Sequence, residues 1–109
     1  MKKIYLFCIA GMSTSMLAKN MRTAAANHNL PVDVQAFAFS TMDETVEQEQ
    51  PDCILIGPQM AYSLDAVKEK YGSTRPVIAI NPDDYGSLDG ERVLKAAILA
   101  LKQFKQQAE

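Results

Sequence analysis

Lys3-Ile4-Tyr5-Leu6-Phe7-Cys8 runs without a break into Ile9-Ala10-Gly11-Met12-Ser13-Thr14-Ser15, and this stretch decides the fold. Its first half is β-branched, aromatic and almost wholly apolar, the pattern of a parallel strand buried on both faces. Its second half is small and polar, as a tight loop would be. After that loop, Met16, Leu17, Met21, Ala24 and Ala25 recur at helical spacing, with Lys19, Arg22 and Asn27 on the opposite side. That spacing predicts an amphipathic helix. A buried strand, a short loop and a helix together open an α/β unit.

The rest of the chain repeats the unit. Asn29 is a stop for the first helix, and Pro31 introduces Val32-Asp33-Val34-Gln35-Ala36-Phe37, which alternates apolar and polar like a half-covered edge strand. Ser40 with Asp43, or Thr41 with Glu44, offers a capping box for a short polar helix ending before Pro51. Cys53-Ile54-Leu55-Ile56 reads as a third, buried strand closed by Gly57-Pro58, followed by a helix with apolar positions Ala61, Leu64, Val67 and Tyr71. Pro76 to Ile80 reads as a fourth strand, and Asn81 to Gly90 is rich in turn residues. From Glu91 onward, Val93, Leu94, Ala97, Ile98, Leu101 and Phe104 mark a long helix with a wide apolar stripe.

Four strands alternating with helices give the fold class: an α/β three-layer sandwich on a four-stranded parallel sheet. With the edge-like second strand outside the first, the order is 2-1-3-4, and the winding reverses between strands one and three. Cys8 and Gly57-Pro58-Gln59 then face one crevice from the carboxyl edge. A single domain over residues 1–109 is expected, since 48% hydrophobic content suffices for one core.

With 11 basic and 13 acidic residues the net charge is −2, which offers no broad basic surface, so nucleic acid is not an expected partner. No apolar run nears the roughly 20 residues that span a bilayer. No signal peptide is evident, and a cytoplasmic location is expected. In a reducing compartment Cys8 and Cys53 are expected as free thiols. One histidine and no Cys/His cluster leave no metal site, and no cofactor is expected.

The loop carries the chemistry. Small residues from Ile9 to Ser15 let backbone N–H groups converge on one point, a P-loop-like phosphate site at a helix N-terminus. Gly11 can adopt a positive φ, and Ser13, Thr14 and Ser15 can cap the helix and donate hydroxyl hydrogen bonds. The same field favours an anionic sulfur at Cys8, making it a nucleophile for a phosphoryl group. Buried free cysteines are usually inert fillers, and Cys53, inside an apolar strand with no such loop after it, takes that reading. Met12, Met16 and Met60 are candidates for an adaptable docking patch, with Met12 the one expected to be exposed and Met16 expected to pack inward. Asp83, Asp84 and Asp89 read as turn formers, and His28 as a surface residue at a helix end.

These residues resemble the IIB component of the lactose/cellobiose family of the phosphoenolpyruvate-dependent sugar phosphotransferase system, of the cellobiose or diacetylchitobiose type. The resemblance rests on Ile4-Tyr5-Leu6-Phe7-Cys8 with Ala10-Gly11-Met12-Ser13-Thr14-Ser15, on Leu55-Ile56-Gly57-Pro58-Gln59, and on Tyr85-Gly86 with Asp89-Gly90. It implies a relay in which a IIA phosphohistidine donates to Cys8 and a sugar bound by a membrane IIC permease accepts. It also implies that Ile9 to Ser15 cradle the phosphate and that Gln59 and Tyr85 flank it. The rival reading is a phosphatase similar to the low-molecular-weight tyrosine phosphatases, which share the architecture. Their loop closes with an arginine six positions after the cysteine, where this chain has Thr14. A third reading, a redox-sensing thiol protein, lacks an accessible resolving cysteine.

Overall fold

Strand β1 (Lys2–Cys8) is the axis of the molecule. It pairs in parallel with β2 (Val32–Ala38) on one side and β3 (Cys53–Ile56) on the other, and β4 (Val77–Ala79) lies beyond β3. The order β2-β1-β3-β4 is the one expected from the sequence. Register aligns Cys8 with Ala38 across one edge and Phe7 with Ile56 across the other. The computed structural model describes residues 1–9 and 12–108, less the side chains of Met12, Ser13 and Ala108.

Alternation along β1 splits the core in two. Ile4 and Leu6, with Cys53 and Leu55, meet Leu17 and Met21 of α1 (Met12–Asn27) and Val93, Leu94 and Ala97 of α5 (Gly90–Ala108). Tyr5 and Phe7, with Ile54 and Ile56, meet Met42 and Val46 of α2 (Met42–Glu49) and Val67 of α3 (Leu64–Tyr71). Phe37 of β2 closes this side by stacking on Phe7 at 5.6 Å between ring centroids. Both faces of the sheet are therefore covered, which is why β1 from Ile4 onward and the whole of β3 are buried and apolar.

Several local expectations need correction. α1 begins at Met12, so Thr14 and Ser15 belong to the helix rather than to the loop before it. Met16 is half exposed on α1 and does not pack inward. Neither capping box forms: the Thr41 hydroxyl donates to the Ala38 carbonyl at 2.8 Å, closing a 3-10 turn over Phe39–Thr41. The helix expected after Pro58 is divided. Pro58–Ser63 winds as a 3-10 segment that buries Met60 and leaves Ala61 exposed, and α helix resumes only at Leu64. The segment from Asn81 to Gly90 contains a short helix, α4 (Pro82–Gly86), because the Asn81 side chain accepts the N–H groups of Asp83 and Asp84. Asn29 does end the first helical region, at a positive φ of 54°.

α1 and α5 touch backbone to backbone at Gly90, where an added Cβ would lie 2.4 Å from the Asn20 carbonyl carbon and 2.5 Å from the Met21 nitrogen. Neither atom can yield without moving the helix. Gly90→Ala is expected to destabilise the protein by about 1 to 3 kcal/mol in urea unfolding. Gly86→Ala, whose new methyl meets nothing within 4 Å, should be neutral or stabilise by about 0.5 kcal/mol. Equal effects would remove the close helix contact as the explanation.

Cys53 is buried, and burial followed by the nearby Asp52 charge pushes its thiol from 9.0 up to about 12. The unfolded chain then sheds this proton first as pH rises, so the stability it contributes is present below pH 9 and lost between 9 and 12. Thermal unfolding of Cys53→Ala should show a shallower alkaline decline above pH 9 than wild type. Parallel profiles would reject the assignment.

Candidate functional site

Cys8 ends β1 at the point where the winding of the sheet reverses, and its side chain shares the face of Ile4 and Leu6. The residue is 3% exposed. Its thiol donates to Gln59 Oε1 at 3.1 Å and lies 3.7 Å from Tyr85 Oη. Tyr85 Oη is 3.0 Å from Thr14 Oγ1, which gives the buried Thr14 hydroxyl its partner. Four side chains from β1, α1, the 3-10 segment after β3, and α4 thus meet at one carboxyl-edge crevice.

Each is held from behind. Gly57 continues the ladder after β3 by donating its N–H to Phe7 O at 2.9 Å, and its carbonyl accepts Met60 N–H at 2.9 Å. Gln59, between them, is therefore aimed by backbone bonds on both sides. Gly57 also leaves room for the sulfur, since a Cβ there would stand 2.6 Å from Cys8 Sγ. Tyr85 is delivered by α4, whose start is fixed by Asn81 and Pro82 and whose Asp84 accepts Arg92 Nε of α5 at 2.8 Å.

The sequence reading named Cys8, Thr14, Gln59 and Tyr85, and the structure brings these together. Ile9 follows Cys8 and is 61% exposed. Ala10 and Gly11 lie outside the described residues, as do the side chains of Met12 and Ser13. Ser15 is exposed on α1. Of the proposed methionine patch, Met16 is 50% exposed and Met60 is buried. Tyr62, at 81% exposure, was not singled out by sequence because an isolated tyrosine carries no periodic signal. The role of Gly57 was equally invisible, since it depends on which atom faces it across the sheet.

The electrostatics suit an anion. The first turn of α1, four residues after Cys8, contains no acidic residue to compete for its unpaired backbone N–H groups. Among the described residues no arginine hydrogen-bonds to Cys8, Thr14, Gln59 or Tyr85. Arg22 instead reaches Val34 O, and Arg92 reaches Asp84. His28 is bonded to Glu91 at 2.5 Å and takes no part in the cluster. Asp83 and Asp84 lie in the first turn of α4, and Asp89 accepts the N–H of Arg92 at the start of α5. Among the described residues no group of three or more His, Cys, Asp or Glu is arranged to hold a metal.

The profile of the PTS system lactose/cellobiose-specific IIB subunit matches residues 3–96. The cellobiose-specific EIIB component of Lactococcus lactis subsp. lactis is 39% identical over 102 residues, covering 88% of this chain and 93% of that protein. The oligo-beta-mannoside-specific EIIB component of Bacillus subtilis is 32% identical over 99 residues, 90% of this chain and 94% of its own. In three dimensions, the cellobiose-specific IIB protein of Borrelia burgdorferi superposes with a TM-score of 0.75 at 34% identity, covering 94% of this chain and 93% of that one. The lactose-specific IIB domain of Streptococcus pneumoniae shares the fold, with a TM-score of 0.77 at 16% identity over 91% of this chain and 96% of its own. With the buried Cys8 crevice on the sheet just described, the chain belongs to the lactose/cellobiose-specific IIB family of the sugar phosphotransferase system.

Proposed function

We propose that Cys8 is the phosphoryl carrier of this IIB protein and that the segment Ile9 to Ser15 cradles the phosphate, with Gln59 and Tyr85 at its flank. IIB components are phosphotransferases that accept phosphoryl from a IIA protein and act with the membrane IIC permease. The observation that carries the assignment is the convergence of Gln59 and Tyr85 on the Cys8 sulfur, beside a helix N-terminus free of acidic residues.

In the first transfer the Cys8 sulfur attacks phosphorus in line. The S–P bond forms as the N–P bond of the donor phosphohistidine breaks, and the thiol proton passes to the departing imidazole. Backbone N–H groups at the start of α1 stabilise the equatorial oxygens as charge builds on them. In the second transfer a sugar hydroxyl displaces the sulfur, the O–P bond forming as S–P breaks, and the hydroxyl proton passes to the departing sulfur and restores the Cys8 thiol. Thr14 stands where a phosphatase loop closes with arginine, and among the described residues no arginine is bonded to the cluster, which favours a carrier because fast hydrolysis of an S-phosphate calls for a bidentate clamp. A redox pair with Cys53 is disfavoured by distance: Cys53 is registered opposite Ile4, four residues from Cys8 and about 13 Å away at strand spacing.

Exposed Ile9, Met16 and Tyr62, on segments that flank the crevice, supply apolar area for the donor and the acceptor to cover in turn. No described helix is long and apolar enough to cross a membrane, and exchange with a IIA donor supports a cytoplasmic location. A relative named for cellobiose supports a cellobiose-type β-glucoside or chitobiose as the sugar, and relatives of similar likeness named for galactose and oligo-beta-mannosides are in keeping with selectivity lying in IIC.

Intact-mass spectrometry after incubation with phosphoenolpyruvate, the general phosphotransferase proteins and a matching IIA should show a gain of about 80 Da on wild type and none on Cys8→Ser. The same gain on Cys8→Ser would move the phosphoryl to another residue. Gly57→Ala places a methyl against the sulfur and should slow transfer from IIA by about tenfold or more while circular dichroism stays native. Wild-type transfer rates in a folded Gly57→Ala protein would show that the open space beside Cys8 is not needed.

A further inference from the structure

At the opposite pole, where the strands begin, a cavity of about 510 Å³ opens between the amino edge of the sheet and the end of α5. Lys2, Arg75, Lys102 and Lys105 line it against a single carboxylate, Asp52, in a chain whose net charge is −2. Asp52 Oδ2 is already engaged by the backbone N–H of Lys3 at 2.8 Å. None of the four cations takes part in an ion pair among the described residues. Lys102 and Lys105 sit in the last turns of α5, where cations complement the helix dipole, but Lys2 and Arg75 lie on no helix, so the dipole accounts for only half the cluster.

Arg75 points to what is missing. Its Nε donates to Thr74 Oγ1 at 3.2 Å and its Nη2 to Gln50 Oε1 at 3.4 Å, both neutral acceptors and the second near the limit of hydrogen bonding. Its Nη1 is buried with no partner among the described residues. Bonded only to neutral oxygens, the guanidinium has no carboxylate beside it among the described residues to balance its charge, and its planar fork suits an oxygen anion in the cavity it lines. Phe104, Leu101, Pro51 and Pro76 give the same cavity an apolar wall, and its volume suits a small organic molecule better than a bare ion.

We propose that this cavity is a second anion site, binding the phosphate of a phosphorylated sugar about 20 Å from Cys8, as judged from the length of β1. The inference rests on the family's sugar-phosphotransfer chemistry, which makes such a compound, and is independent of the role of Cys8. Arg75 and Lys102 bind the phosphate, and Phe104 and Leu101 pack on the sugar body.

The test is a ¹H–¹⁵N NMR titration of the Cys8→Ser protein with glucose 6-phosphate, inorganic phosphate, or sodium chloride at matched ionic strength. Saturating shifts are expected at Asp52, Thr74, Arg75 and Lys102, with glucose 6-phosphate binding about threefold or more tighter than phosphate. Arg75→Met and the exposed Lys102→Glu should each weaken binding by about tenfold while leaving the rest of the spectrum folded. Equal affinity for inorganic phosphate and glucose 6-phosphate would overturn the sugar-phosphate assignment. Equal shifts with chloride, shifts confined to residues 12–17, or binding that survives both substitutions would overturn the site itself. Phosphoryl transfer through Cys8 is read in the wild-type protein by mass, so either claim can fail alone.

Discussion

Burial of β1 on both faces and hydrogen bonding along both its edges is the constraint from which the rest of the structure follows. Ile4 to Cys8 are all buried, and each neighbour of the strand is parallel to it. A parallel pair cannot be joined by a tight turn, so every connection must cross over a face as a helix. Ile4 and Leu6 require one helical layer and Tyr5 and Phe7 require the other. Because β2 lies beyond β1 and β4 beyond β3, the connections that follow β1 and β3 run in opposite directions. The gap this opens at the carboxyl edge is where Cys8 ends.

The carrier role proposed for Cys8 sets two demands that pull against each other. The residue must be held still, which the strand, Gly57 and Gln59 accomplish, and it must remain reachable by two large partners. The structure meets both demands by keeping Cys8 at 3% exposure while leaving large apolar side chains exposed on the adjoining segments. Shielding also suits an S-phosphate, which is lost to water if solvent attacks in line. Tyr85 ties the crevice to the far end of the chain. Its position depends on α4, α4 on the Asn81 cap and Asp84–Arg92 pair, and α5 on its close contact with α1 at Gly90.

The two poles of the sheet differ in charge for reasons that trace to the same topology. All the strands run one way, so helix N-termini gather at the carboxyl edge and helix C-termini at the amino edge. The first favours a transferred phosphoryl group, and the second draws lysines to the end of α5. Arg75 stands apart from this pattern, because it precedes β4 in a loop and keeps a buried N–H without an acceptor among the described residues.

Sequence by itself determined the α/β class, the strand order and the place of Cys8 at the end of β1. Those rest on local signals: unbroken apolar runs for β1 and β3, alternation in β2, and a cysteine at the junction of a strand and a small-residue loop. Local signals also misled wherever a side chain had two partners to choose from. The Thr41 hydroxyl bonded backward to Ala38 instead of capping α2, Asn81 capped a helix where only turns were expected, and Met16 faced solvent although its spacing fitted the apolar stripe. Tyr85, 77 residues from Cys8, entered the sequence reading through family resemblance alone, whereas Gln59, 51 residues away, was also placed at the crevice by the strand order. Tertiary structure alone decided that these two touch the sulfur, that Thr14 bonds Tyr85 instead of standing free, and that Gly57 yields the space the thiol fills. Contacts of that kind depend on the register of one strand against the next and on the angle of a helix across them, which no window of sequence encodes.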